Sequence, residues 1–346
     1  MKRELAILAS GMVTAVGFNA PATLAALRAG ISGVRRTPWV DFASGGFLCG
    51  AKVPLPQWWE GLGKLADLIA PAIDECLKAA SPVCSSDIPL LIGVASPERA
   101  ARTPRLDEDL LLEIEARLGC ALHPRSQLFP LDQAGCAQAL LVAQAMLGER
   151  GVPRVIVAGV DSFLHKPMLN SYIERRRLMT PDNSNGFFPG EAGCAVLVGA
   201  ADTCDGEALV IRGFGMSSES GCIDGTEPSR AQGLTTAVRQ ALDGAGIRLK
   251  DVAYRLTDIS GEHYKFKEAA FAAGRLNGGE REDGLKLWHP IEYLGEIGAA
   301  ILPCLLAQAM HAAVEGYAPG RWALCHVGSD AGLRAAMVVE MRGRNR

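Results

Sequence analysis

The sequence predicts an α/β protein in which a parallel or mixed sheet is covered by helices, and three observations carry that reading. Strand-like apolar runs alternate with helix-period runs through the first half of the chain. Gly supplies 39 of 346 residues and aromatics only 6%, a balance suited to tight turns and close packing of elements rather than a sandwich rich in Tyr and Trp. Apolar side chains make up 49% and charged ones 21%, enough for one large core or two medium ones, which excludes disorder, collagen and coiled coil.

The elements follow in order. Lys2 and Arg3 ahead of the apolar stretch 5–16 imitate a secretory signal, but Glu4 and the interruptions Ser10, Gly11 and Thr14 weaken it. The stretch instead predicts a buried strand over 5–8, a glycine turn and a helix over 21–28. Strand 90–95, helix 106–118, strand 127–131, helix 137–148 and strand 154–160 come next, and a hairpin-like pair over 192–199 and 208–213 separates this half from the second. There, 234–245 reads as helix, 252–256 as strand, 298–314 as a long apolar helix, and 322–327 and 335–341 as closing strands. No run approaches the length of a membrane-spanning helix.

The two halves echo each other. Residues 141–146 (LVAQAM) precede a loop, a strand and Asp161, and residues 305–310 (LLAQAM) precede a loop, a strand and Asp330. Two copies of helix, loop, strand and Asp suggest a duplicated domain, although Ala-rich helices also resemble one another by composition. Lys plus Arg number 35 against 38 Asp plus Glu, so nothing points to a nucleic-acid surface. The ten cysteines, Cys84 among them, form no Cys-x-x-Cys pair and read as reduced thiols of a cytoplasmic protein. No Cys or His pair has metal-ligand spacing, and Gly213 and Gly215 lack the third glycine of a dinucleotide fingerprint, so neither zinc nor a nicotinamide cofactor is expected.

Chemistry concentrates where Leu131, Asp132, Gln133, Ala134 and Gly135 lead from a strand into an apolar helix carrying Cys136. A thiol at a helix N-terminus faces unpaired N–H groups and the positive dipole end, which favour thiolate. Against this stands the frequency with which cysteine is simply buried.

These segments, in their order along most of the chain, resemble the thiolase superfamily and in particular the β-ketoacyl-acyl-carrier-protein synthases. Residues 10–17 and 24–34 look like that family's first glycine turn and "L-x-x-G-x-S-G" helix end, and 132–139 like its nucleophile turn, with Cys136 on the catalytic cysteine. Residues 155–161 resemble the strand that follows. Residues 177–180 and 186–193 resemble the "LS…DGFVxGEGAG" stretch, 295–300 the "GHxxGAAG" helix start and 325–330 the "GFGGTN" loop.

The resemblance implies a five-layered αβαβα thiolase-like fold of two similar halves, here 1–205 with the nucleophile cysteine and 206–346. It further implies a homodimer, or a heterodimer with a ketosynthase, and an acyltransferase of fatty-acid or polyketide metabolism. An acyl group delivered by coenzyme A or by the phosphopantetheine of an acyl-carrier protein would form a thioester on Cys136, with no tightly bound cofactor. Backbone N–H groups would hold the developing oxyanion.

The histidine pair of the family is missing: Asp258 stands at the first position and Gly295 at the second. His263 and His289 lie near these motifs, and His326 falls inside one, at the place of a gating phenylalanine beside the cysteine. Either His326 supplies an imidazole to the cysteine or it fills an aromatic's space. Asp258, Glu262, His263 and Glu296 form a second candidate acid/base set, their ordinary alternative being turn and cap groups. Cys325 matches the base cysteine of thiolases. Arg175 to Arg177 form a basic run that either faces an acidic carrier protein or is a solvated loop face. Loss of both histidines opens a non-enzymatic alternative, a chain-length-factor-like partner subunit or carrier-protein-binding scaffold.

Overall fold

The computed structural model describes residues 3–42, 44–83, 85–149, 151–204, 206–279 and 283–343. Lys2, Cys84 and Asp205 lie outside the described residues. The first half contains β1 (Leu5–Thr14), α1 (Ala20–Arg28), β2 (Arg35–Val40), β3 (Phe47–Gly50), α2 (Leu62–Ala79), β4 (Leu90–Gly93), α3 (Leu106–Leu118), β5 (Gln127–Phe129), α4 (Gly135–Met146), β6 (Arg154–Ser162), α5 (Lys166–Glu174) and β7 (Glu191–Ala200). The second contains β8 (Ala208–Ser218), α6 (Gln232–Ala245), β9 (Tyr254–Thr257), α7 (His263–Asn277), β10 (Lys286–Trp288), α8 (Ile291–Leu294), α9 (Ile301–Val314), β11 (Trp322–Gly328) and β12 (Leu333–Arg342).

Ten strands form one sheet in the order β10-β9-β11-β12-β8-β1-β7-β6-β4-β5, and β2 pairs with β3 apart from it. The order is two copies of one pattern. In the first half β5, β4 and β6 are parallel while β6, β7 and β1 are antiparallel. In the second, β10, β9 and β11 are parallel while β11, β12 and β8 are antiparallel. Within the ten-stranded sheet the copies are joined along Leu5–Ile7 of β1, opposite Leu209–Ile211 of β8.

The expected pair over 192–199 and 208–213 is therefore not a hairpin. β1 lies between β7 and β8 and bonds to both, because a ten-residue apolar strand at the chain start leaves two edges to satisfy. That strand runs to Thr14, well past the predicted end at residue 8.

Five layers result. α4 and α9, the helices of the echoed segments, share one central core with the inner faces of both halves. α2 and α3 cover the outer face of the first half, and α6 and α7 that of the second. Glycines set these distances. A Cβ on Gly11 would lie 1.9 Å from the Ala72 carbonyl oxygen of α2, and one on Gly213 would lie 1.8 Å from that of Ala241 in α6. The glycines of the incomplete dinucleotide pattern thus serve strand-to-helix packing.

Candidate functional site

Strand β5 ends at Phe129 and the chain turns through Asp132, whose φ of 53° lies in the left-handed region, before entering α4. That turn puts Asp132 and Gln133 on a polar cavity of about 170 Å³. Cys136, one helical turn further on, does not line it. Its Sγ is fully buried, 3.1 Å from the Ala158 carbonyl oxygen and 3.3 Å from that of Ala299. It occupies a slot cut by two glycines: a Cβ on Gly93 would come within 2.7 Å of the sulfur and one on Gly159 within 2.9 Å. Burial pushes the thiol up to about 12, so desolvation outweighs the helix dipole.

The cavity is walled by ion pairs, and three buried cations each bridge two carboxylates. Arg99 bonds Asp161 at 2.7 and 2.8 Å and also pairs with Asp132. Arg177 bonds Glu262 at 2.7 and 2.9 Å and Asp330 at 2.6 Å. Lys265 lies 3.0 Å from Asp258 and 3.7 Å from Glu296. Gln133 closes the ring by donating its side-chain N–H to Glu296 at 3.3 Å. Asp161, next to last in β6, and Asp330, two residues past the end of β11, are the two aspartates of the internal echo, and each holds a buried arginine.

Burial raises the carboxyl groups of Asp132 and Glu296 above their usual range, Arg99 and Lys265 respectively pulling the other way. For Asp330 burial also acts upward, but the Arg177 guanidinium prevails and holds the group at about 2.

The residues expected to act together are separated. On β11, Ala323, Cys325 and Val327 face the central core, and by strand alternation Leu324 and His326 face the opposite way, toward α6 and α7. His326 therefore stands on the far side of its strand from the core that holds Cys136. Burial, reinforced by Arg255, depresses its imidazole to about 4, so it is neutral. Asp258 borders the same small space as His326, where it accepts from the Gly328 N–H at 3.0 Å and from Lys265.

Of the second candidate set, Asp258, Glu262 and Glu296 enter the ion network, whereas His263 is exposed at the start of α7, its backbone N–H bonded to Asn185. Cys325 is buried and pushed up to about 12 by desolvation. The basic run divides: Arg175 is exposed and pairs with Asp224 at 3.1 Å, while Arg177 is buried. Gln133, Arg99 and Lys265 were not among the sequence candidates. A lysine whose neighbours at helical spacing, Ala269 and Ala272, are small and apolar was the available signal for the last.

Among the described residues no group of His, Cys, Asp or Glu is arranged to hold a metal, and no helix is long and apolar enough to cross a membrane. Neither a protein-family model nor a curated protein matches the sequence. Solved structures do match. The ishigamide ketosynthase/chain length factor is 17% identical, covering 98% of this chain and 100% of that one at a TM-score of 0.72. The chain has the ketosynthase fold. A ketosynthase in complex with its chain length factor from Xenorhabdus doucetiae matches at 14% identity, 98% of each chain and TM-score 0.73. A β-ketoacyl synthase from Burkholderia phymatum STM815 matches at 16%, 99% of this chain, 100% of that chain and TM-score 0.75. One further neighbour, 13% identical at TM-score 0.76, is a type II polyketide synthase ketosynthase in complex with its acyl-carrier protein, over 98% of this chain and 100% of that one. The five layers are those expected from the resemblance.

Proposed function

We propose that the protein is a non-catalytic, chain-length-factor-like subunit that pairs with a ketosynthase in fatty-acid or polyketide metabolism. The observation that carries this is the Cys136 thiol: fully buried between Gly93 and Gly159 and protonated at neutral pH, it has no route to a thioester. The polar cavity beside this turn is lined there by Gln133, an amide without nucleophilic character, and walled by buried charge unsuited to an acyl chain. The alternative, an acyltransferase charged on Cys136 from coenzyme A or carrier-protein thioesters, needs that thiol uncovered and a base beside it. A partner subunit needs neither.

Intact-mass spectrometry after incubation with acyl- and malonyl-coenzyme A and acyl-carrier thioesters tests the first half of this reading. No adduct is expected, and a stoichiometric adduct lost in Cys136→Ala overturns it. Native mass spectrometry of the chain mixed with ketosynthases of the same organism tests the second, with a one-to-one complex expected.

A further inference from the structure

The strands β2 and β3 form a hairpin apart from the ten-stranded sheet. Leu48 of β3 and Trp39 of β2 turn inward onto a small core with Phe163, Tyr172 and Phe187. By strand alternation Phe47 faces the other way, and it is 44% exposed. Phe42, just after β2, is 85% exposed, and a Cβ on Gly45 in the same turn would meet no atom within 4 Å. This end of the hairpin therefore stands clear of the body.

The exposed charge on the hairpin and its flanks has one sign. Arg35, Arg36 and Lys52 are exposed, and among the described residues none of them pairs with a carboxylate. Arg36 instead stands over the Phe47 ring at 3.5 Å, Lys52 over the Trp39 ring at 5.7 Å, and Arg35 donates to the Val34 carbonyl at 2.8 Å. The only carboxylate between residues 29 and 54, Asp41, is buried and accepts from the Ser44 hydroxyl at 2.7 Å. The groove beside the turn adds one exposed charge of each sign, Arg176 and Asp182.

Unpaired cations interleaved with aromatic rings that project, and line no cleft, match an anionic surface with an apolar interior. A protein partner's anchors would seat in pockets. We infer that the β2–β3 hairpin docks the protein on anionic phospholipid, with Phe42 and Phe47 entering the headgroup region and Arg35, Arg36 and Lys52 meeting phosphates. The net charge of −3 does not oppose this, because the field of the lipid surface decays within a Debye length of ~8 Å and acts on the nearest groups. The contact is with the bilayer surface, since no described helix is long and apolar enough to cross it. Neither Cys136 nor the polar cavity takes part, so the inference is independent of the partner-subunit reading.

Co-sedimentation of the whole protein with sucrose-loaded vesicles tests it, comparing phosphatidylcholine alone with an equimolar mixture of phosphatidylcholine and phosphatidylglycerol. Binding is expected to the mixture only and should fall as salt is raised. Arg35→Gln, Arg36→Gln and Lys52→Gln together should weaken it roughly a hundredfold, at about fivefold for each cation near an anionic surface. Phe42→Ser, which removes an apolar ring from the contact, should weaken it roughly tenfold. Near-ultraviolet circular dichroism checks that both variants are folded. Absence of binding to the mixture, equal binding to phosphatidylcholine alone, or an affinity unchanged in either folded variant overturns the inference. If vesicles are ignored and a purified acyl-carrier protein binds the parent but not the triple variant, the hairpin is a protein-docking face and the lipid inference falls.

Discussion

Iodoacetamide at neutral pH should label Cys136 far more slowly than the half-buried Cys49 and Cys120. The pKa of about 12, set against about 8.5 for an ordinary thiol, lowers the thiolate fraction by roughly 3,000-fold. A more basic thiolate is intrinsically more nucleophilic, and a Brønsted slope of ~0.4–0.5 returns about thirtyfold of that loss. The remaining slowdown is about a hundredfold before access is considered. Access slows it further, because the sulfur is sealed by the carbonyls of Ala158 and Ala299 and by Gly93 and Gly159, so labelling requires local opening. Peptide mapping by mass spectrometry over a time course, in native buffer and in urea, reads the rates site by site. If Cys136 were labelled within about tenfold of Cys49 or Cys120 in native buffer, the sealed-thiol argument would fail, and with it the case against catalysis.

Other outcomes follow from the same geometry. Gly159→Ala would place a Cβ 2.1 Å from the Ala299 carbonyl oxygen, so a stability loss of about 3 kcal/mol or more is expected in urea unfolding. Arg177→Met leaves Glu262 and Asp330 buried or half-buried without their cation and should cost about 3–5 kcal/mol in urea unfolding at neutral pH. His326, depressed to about 4, binds its proton later in the folded than in the unfolded state. It therefore removes stability as pH falls from about 6.5 to about 4, by up to about 3 kcal/mol. In His326→Phe that limb of the stability profile should flatten between those pH values, and a parallel curve would refute the assignment. Asp330, held at about 2, keeps most of its contribution across the same range and loses it as the pH falls from about 4 to about 2.

The sequence alone determined the α/β class and the helix over 106–118, and through LVAQAM, LLAQAM and the aspartates that follow them it suggested two copies of one pattern. These are local signals: periodicity, turn chemistry and a repeated string survive without knowledge of neighbours. It gave no warning of α2, whose interior Pro71 reads as a break. A hairpin was expected where β1 intervenes, because strand partners separated by the whole first half leave no mark in a short window. The site divided along the same line. That Asp132 to Cys136 form a turn into a helix was legible, but which of Gln133 and Cys136 faces the cavity depends on rotation about the helix axis and on two distant glycines. That His326 points away from the core holding Cys136 follows from strand parity once β11 has a register. Arg177 finds Glu262 and Asp330 only when the two halves close on one another, and Arg99 and Lys265 find Asp161 and Glu296 only once each half has folded, since ion pairing selects partners by distance in space and carries no sequence period.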